Sequence, residues 1–325
     1  MSDGVVSSNV VHGNLVQGTT VNIQQQTPIP RDLWGEPRHW TNHAERLDFA
    51  AAWMAEPNPA PLVVKGPKHA GKSTFAGVAA CRNRVRFPHG VLHLLPRRHG
   101  VVGEITAALD RLGVSRVSDA PGASEQHYRS LLAELRLLVV IDEPRNKGEV
   151  ERLCPEESQA RCIVLTSTGL ELDDEVELEL PPLDAAHALE LLERSKKLPA
   201  EVNQALVAAF GGFPGKLRRA GGIVRSGALS VERLVELTAA HADERLFLEA
   251  FDSISSGAKR LYRALCTLPD PGVDESLLHW LRRNAPEGED PVAELQAHEL
   301  LYELKPGIWG VQYRPEGTDI GGPND

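Results

Sequence analysis

The segment GPKHAGKST at 66–74 combines glycines, a lysine and hydroxyl side chains in the order G-x-x-x-x-G-K-S. Gly66 and Gly71 let the backbone curl so that its N–H groups face a phosphate. Lys72 can reach phosphate oxygens as a point charge, and the Ser73 hydroxyl can bind Mg²⁺. An apolar run before the segment and helix-forming residues after it supply the context that a phosphate-binding loop requires. The predicted nucleotide-binding residues of this loop are Gly66, Pro67, Lys68, His69, Ala70, Gly71, Lys72, Ser73 and Thr74.

Two adjacent acids, Asp142 and Glu143, follow the apolar run 137–141. The carboxyl ends of parallel strands meet at one sheet edge, where ligands bind in open α/β folds. We therefore predict that Asp142 joins Ser73 in binding Mg²⁺, and that Glu143 acts as the general base on the attacking water. The alternative for Glu143 is a solvent-facing loop acid. Thr166 and Ser167, at the end of the next apolar run, are expected to reach the γ-phosphate or the water.

The elements that position these residues are predicted from short apolar runs separated by helix-length segments. The runs lie at 62–65, 91–95, 137–141, 162–166 and 176–180. Such alternation is typical of βαβ units and therefore of a parallel sheet covered by helices. We predict an α/β fold in which a P-loop parallel sheet of about five strands is flanked by helices. A helical domain and a winged-helix domain are expected to follow it.

The second half of the chain has a helical pattern from residue 181, with Asp184 as a predicted helix cap. Three short amphipathic helices and two alternating runs about Pro306 and Gly307 then suggest a winged helix. The predicted units are a signalling or disordered tail at 1–29, a P-loop domain at 30–180, a helical domain at 181–243, a winged helix at 244–314 and a tail at 315–325.

The overall composition favours an ordinary globular protein. The chain of 325 residues carries 45 acidic and 35 basic residues, a net charge of −10 that disfavours a polyanionic partner. Four cysteines stand far apart, without the spacing of a zinc site, and are expected to be reduced. No apolar run approaches the roughly 18 residues of a membrane span. We expect a cytoplasmic protein with no membrane partner.

Several motifs in order resemble the NB-ARC type of STAND P-loop NTPases found in actinobacterial signalling proteins. Besides the two motifs above, PRDLW, WTNHAERL, LTST, LPPLDAAHALELL and GGFPGKLRRAGG are similar to family segments across roughly 30–313. This resemblance implies that the segment of Arg31 lies against the adenine and that Pro214 packs on it. It also implies a switch in signal transduction, such as prokaryotic immunity, in which ADP holds a closed form and ATP favours an open, self-associating one.

The resemblance is incomplete at two positions. Thr168 stands where the family's sensor strand usually carries arginine, and WGVQYRP replaces the motif whose histidine holds the ADP β-phosphate. Slow ATP hydrolysis and a scaffold that holds ADP permanently both remain open. The main rival is an ATP-dependent winged-helix transcription regulator. It is disfavoured because the candidate recognition helix, DPVAELQAHELL, has acidic residues and no Lys or Arg.

The N-terminal stretch 4–30 carries no charge before Arg31 and repeats the pattern N-[VL]-V-[HQ]-G at 9–18. Its valines favour β-structure, and Asn and Gln side chains can stack in cross-β ladders. The stretch resembles bacterial amyloid signalling motifs related in pattern to the animal RHIM. We expect either an inert tail or, through 7–26, a contact with another protein that carries a similar motif.

Overall fold

The computed structural model describes residues 29–311 except for short gaps. The gaps are 34–35, 37–39, 41, 115–121, 157, 168, 197, 228, 240–247, 250, 267–272, 287, 299 and 306–307. The amyloid-like segment 7–26, the final residues and Thr168 therefore lie outside the described residues. In the part of the chain that is described, every helix is too short or too polar to cross a membrane.

A five-stranded parallel sheet forms the centre of the first half of the chain. Its strands are β1 (Leu62–Lys65), β2 (Val91–Leu94), β3 (Leu138–Asp142), β4 (Arg161–Thr166) and β5 (Val176–Glu179). They lie in the order β2-β3-β4-β1-β5. This confirms the predicted α/β sheet, with strand bounds within one or two residues of the apolar runs. Because β1 pairs with β4, the loop that follows β1 emerges beside the end of β4, and the end of β3 lies one strand farther.

Helices cover both faces of this sheet. They are α1 (Ala44–Ala55), α2 (Lys72–Arg82), α3 (Pro96–Arg111), α4 (Ala123–Glu134) and α5 (Lys147–Leu153). The two faces have separate apolar cores, one built around Leu92, Ile105 and Tyr128, the other around Trp53 and Phe75. Strands buried on both faces read as continuous apolar runs, which explains why the sequence pattern located them.

A helical region follows, with α6 (Ala185–Lys196), α7 (Ala200–Phe210), α8 (Pro214–Ser226) and α9 (Val231–Ala239). Asp184 caps α6, because its Oδ1 accepts a hydrogen bond from the His187 N–H at 2.9 Å. A core of its own, including Leu192, Leu206 and Leu217, holds these helices together. Two glycines follow the end of α7, and α8 starts with a proline in its first turn. The backbone N–H that proline lacks would have no intrahelical acceptor at this position.

The last region combines α10 (Ser256–Leu265), α11 (Glu275–Arg283) and α12 (Pro291–Ala297) with an antiparallel sheet. The sheet contains β6 (Val273–Asp274), β7 (Leu301–Lys305) and β8 (Ile308–Val311) in the order β6-β8-β7. The predicted helix over 290–301 was too long. It ends at Ala297 because Leu301 belongs to β7 and pairs with Val311. The short strand β6 was not predicted, since two residues give no pattern.

Candidate functional site

The phosphate-binding loop joins β1 to α2 at the carboxyl edge of the parallel sheet. The Gly66 N–H donates to the Thr166 carbonyl at 3.1 Å, which ties the loop to β4. A side chain at Gly66 would not fit, because its Cβ would lie 2.4 Å from the Leu180 carbonyl oxygen. Gly71 has φ 94°, a left-handed conformation that favours glycine, and α2 begins at the next residue. The first N–H groups of α2 have no intrahelical acceptor, so this end of the helix can donate hydrogen bonds to an anion.

Lys72 is buried at the base of this loop, with 7% of its surface exposed. Its Nζ donates to the Gly66 carbonyl at 2.9 Å and to the Pro67 carbonyl at 3.2 Å. The same Nζ lies 3.3 Å from Glu143 Oε1. The ammonium is therefore held by loop carbonyls and one carboxylate, all of them acceptors that a phosphate can replace.

Asp142, the last residue of β3, receives hydrogen bonds on one carboxylate oxygen. The Ser73 hydroxyl donates to its Oδ2 at 2.7 Å, and His93 Nε2 lies 3.2 Å from the same oxygen. Burial alone would raise the pKa of Asp142, but the hydrogen bonds and charge of His93, the Ser73 hydroxyl and the charge of Lys72 outweigh it. The pKa therefore lies below its ordinary value, which keeps the carboxylate ionised.

The donor set at Ser73 and Asp142 fits Mg²⁺. A hydroxyl oxygen and a carboxylate oxygen are the hard ligands that this ion prefers, and it commonly takes one or two protein ligands together with phosphates and waters. Among the described residues there is no cluster of three or more His, Cys, Asp or Glu that could hold a metal without other ligands. These two side chains would thus leave most of the coordination sphere to a nucleotide and to water.

His93 was missed by the sequence predictions. It lies in β2, which is separated from β1 by β3 and β4, and the pairing of β2 with β3 brings its ring to Asp142. Its backbone N–H donates to Asp32 Oδ2 at 2.9 Å, and Arg111 contacts that carboxylate and donates to the His93 carbonyl at 3.3 Å. A single histidine inside the apolar strand VLHL was the only signal in the sequence.

Glu143 has an unusual backbone, with φ 52° at a residue that is not glycine. Left-handed conformations cost energy for such residues and cluster at functional sites. Its N–H donates to the Leu165 carbonyl at 2.8 Å, which fixes the turn against β4. Its Oε2 accepts hydrogen bonds from the Ser167 N–H at 3.2 Å and the Ser167 hydroxyl at 2.9 Å. Glu143 is therefore part of the site and is not a free loop acid.

The first turn of α8 lies directly on the phosphate-binding loop. The Gly215 N–H donates to the His69 carbonyl at 3.3 Å, and a Cβ at Gly71 would lie 3.7 Å from Pro214 Cγ. The segment before α8 also packs closely on Leu183, just before the helical region. A Cβ at Gly212 would lie 1.7 Å from the Leu183 carbonyl oxygen, so only glycine fits there. The residues GGFPG thus let one backbone segment approach both the phosphate-binding loop and Leu183.

The other predicted site residues differ in solvent exposure and in their position relative to the loop. Ala70 is buried, whereas Pro67, Lys68 and His69 are exposed and Thr74 is half-buried. Thr166 is the last residue of β4 and is 1% exposed. Arg31 forms an isolated bridge with Val91, the first residue of β2, so it lies at the amino end of the sheet, opposite the loop. The structure does not bring Arg31 together with the loop residues.

No protein-family model matches the chain, and no curated protein matches it in sequence. Among solved structures, it is similar to a STAND protein with a tetratricopeptide repeat sensor from Pyrococcus horikoshii. That match has a TM-score of 0.55 and 15% identity, and it covers 88% of this chain and 43% of that chain. A Walker-type ATPase of Pyrococcus abyssi matches with a TM-score of 0.44 and 15% identity over 86% of this chain and 95% of that chain.

The ORC1 protein of Aeropyrum pernix in complex with DNA matches with a TM-score of 0.48 and 17% identity, over 81% of this chain and 85% of that chain. The likeness to the STAND protein concerns the fold. This likeness, the five-stranded parallel sheet and the phosphate-binding loop after β1 together identify a P-loop NTPase fold followed by helical regions.

Proposed function

We propose that this protein is a nucleotide-dependent switch of the STAND type that binds Mg²⁺ with ATP or ADP. Gly66 to Thr74 form the phosphate cradle, Lys72 supplies the charge for the β- and γ-phosphates, and Ser73 with Asp142 hold the cation. When bound, Mg²⁺ neutralises phosphate charge and orients the phosphate chain. Glu143 is the proposed general base, so slow hydrolysis is part of the proposal.

One observation carries the switch: α8 contacts both the phosphate-binding loop and the C-terminal region. Its first turn rests on His69 and Gly71, as described above, and the same helix contacts α12. A phosphate that enters the loop must displace acceptors from Lys72 and so changes the surface on which α8 rests. A ligand can shift such an arrangement only by binding one form more tightly than the other. The helix α8 is therefore the element through which nucleotide state would reach the rest of the chain.

The domain division at 30–180, 181–243 and 244–314 belongs to the same proposal. It is supported by separate apolar cores, with one core for α6 to α9 and another that joins Phe251, Tyr262 and Leu295 in the C-terminal region. The three helices and antiparallel strands of that region are consistent with a winged helix. Regions with their own cores can move as units when a ligand favours another packing.

The rival function, ATP-dependent DNA binding, gains no support from the C-terminal region. Glu294 on the candidate recognition helix α12 accepts hydrogen bonds from the Ser255 N–H at 2.7 Å and the Ser255 hydroxyl at 2.6 Å. This carboxylate thus links α12 to the start of α10. A carboxylate near the phosphate backbone would repel it, since DNA affinity depends on Lys and Arg contacts. We therefore propose that this region serves as an intramolecular clamp.

We further propose that the partners are an adenine nucleotide, a second copy of the chain and, through 7–26, another protein with a similar motif, in the cytoplasm. Opening of the clamp would expose surfaces for self-association. The adenine contact of the Arg31 segment stays a prediction, and Arg31 itself lies at the amino end of the sheet, away from the phosphate-binding loop. Pro214 is retained because it lies against Gly71.

The test is to identify the nucleotide released when the purified full chain is denatured, and to measure binding of fluorescent ATP and ADP analogues. Lys72→Ala should weaken binding by about a hundredfold, because it removes a buried cation from the phosphate cradle. Lys68→Ala is the matched control, since Lys68 lies in the same loop but is exposed. Absence of any nucleotide, together with equal behaviour of the two variants, would refute the proposal.

A further inference from the structure

Lys72, Glu143 and Ser167 form a connected set of contacts, which we name the clasp. The two carboxylate oxygens of Glu143 have different partners. Oε1 lies 3.3 Å from Lys72 Nζ, whereas Oε2 accepts the N–H and the hydroxyl of Ser167 at 3.2 and 2.9 Å. Both ends of the carboxylate are thus occupied within the protein.

This arrangement opposes both roles that the proposed function gives to the two charged residues. A general base must have a carboxylate oxygen directed at the water it activates. Here one oxygen faces an ammonium and the other accepts from two donors, so both oxygens are engaged by protein groups. Lys72 in turn is held by the Gly66 and Pro67 carbonyls as well as by Glu143, where a phosphate would have to compete with all three acceptors.

The backbone of Glu143 fixes the position from which its side chain makes these contacts. Glu143 adopts φ 52°, and its N–H donates to the Leu165 carbonyl in β4 at 2.8 Å. These two features of the backbone set the direction of its side chain. Ser167 lies directly after β4 and supplies the two hydrogen bonds that hold Oε2. The neighbouring Thr166 is buried at 1% exposure and its side chain belongs to the strand.

We propose that Ser167 is a positioning residue that holds Glu143 in a non-hydrolysing orientation, and that Glu143 in turn competes with phosphate for Lys72. Arrival of a phosphate at Lys72 replaces the Glu143 carboxylate and releases Glu143 toward the water. The clasp thereby lowers both nucleotide affinity and turnover. This inference rests on the proposed function, because it concerns regulation of the same site.

The test measures dissociation constants for fluorescent ATP and ADP analogues on the full chain, together with kcat and KM for ATP. Ser167→Ala removes the hydroxyl but keeps the N–H, so nucleotide should bind about threefold more tightly and kcat should rise by a similar factor. Glu143→Gln removes the charge that competes for Lys72, so nucleotide should bind about tenfold more tightly while turnover is lost. Ser167→Thr keeps a hydroxyl and should restore the wild-type values.

Two control variants are available. Ser158→Ala removes a hydroxyl that donates to the Ala160 carbonyl near the start of β4, and Glu151→Gln removes a charge that pairs with Lys147 on α5. Both should leave the nucleotide dissociation constants unchanged. If wild-type and Ser158→Ala proteins bind nucleotide but Ser167→Ala lowers kcat at constant affinity, Ser167 instead assists the reaction and the clasp is wrong. If the wild type binds no nucleotide, the proposed function itself fails.

Discussion

Two buried titratable side chains, Asp142 and His43, are treated in opposite ways by the fold. Asp142 receives hydrogen bonds from Ser73 and His93. His43 is 4% exposed, and neither of its ring nitrogens has a hydrogen-bond partner among the described residues. Both pKa values are lowered, but for Asp142 the charged form is stabilised by its partners, and for His43 it is destabilised by burial. A shift in the same direction thus marks a prepared binding group in one case and an energetic cost in the other.

The location of His43 adds to this contrast. It precedes α1 with φ 63°, and the charged residues around it are Arg46 on its own helix with Asp184 and His187 at the start of α6. Burial first, and then the charges of Arg46 and His187, hold its pKa to about 4 against the opposing charge of Asp184. Buried polar groups are rarely left without a partner, so His43 is an exception in this fold.

The largest expected effect concerns Asp142. Asp142→Ala should weaken Mg²⁺-dependent nucleotide binding by about a hundredfold, because it removes a metal ligand and leaves Ser73 and His93 without their acceptor. A Mg²⁺ titration with a fluorescent nucleotide measures this change. Asp173→Ala is the control, since Asp173 is an exposed carboxylate paired with Lys147. Equal Mg²⁺ dependence in both variants would remove Asp142 from the site.

A smaller effect is expected at His93. His93→Phe removes the imidazole that supports Asp142, and loss of such a supporting hydrogen bond commonly costs about tenfold in metal affinity. The same Mg²⁺ titration should show this loss, while His127→Phe, at an exposed position of α4, should not. An unchanged titration for His93→Phe would mean that Ser73 alone orients the carboxylate.

At His43 the expected change is a gain in stability. His43→Phe replaces the imidazole by an apolar ring, so the cost of burying its polar nitrogens, about 1 to 3 kcal/mol, should be reduced. We expect the free energy of unfolding at pH 7 to rise by about 1 kcal/mol, as measured by denaturant titration. A loss of stability would show that the nitrogens have partners in the folded protein.

A further expected effect at His43 is a change of pH dependence. Between its ordinary pKa of 6.5 and its folded value of about 4, His43 binds a proton in the unfolded state but not in the folded one. Proton binding to the unfolded state therefore adds no destabilisation above pH 6.5, and the free energy of unfolding decreases as the pH falls from 6.5 toward 4. Wild-type stability should decrease more steeply over this interval than that of His43→Phe. Parallel pH profiles for the two proteins would contradict the assignment.

The comparison also indicates what a sequence can predict. The phosphate-binding loop and the five strands were predicted because each is a local pattern in which spacing fixes backbone geometry. His93 and Ser167 acquire their roles only through strand order, which brings β2 and the end of β4 to Asp142 and Glu143. The resemblance of the Arg31 segment to a family motif did not predict its pairing with Val91 of the edge strand β2. His43 gave no signal, since burial of a single side chain depends on tertiary packing that no local pattern encodes.

The central claim is that nucleotide reaches the rest of the chain through α8. Hydrogen exchange of the full chain, followed by mass spectrometry, tests it with no nucleotide, with Mg²⁺ and ADP, and with Mg²⁺ and a non-hydrolysable ATP analogue. We predict that exchange changes at 66–74 and also at 213–217, and that ADP and the ATP analogue differ at the second segment. Protection confined to 66–74, with identical exchange of α8 in all three states, would contradict the claim.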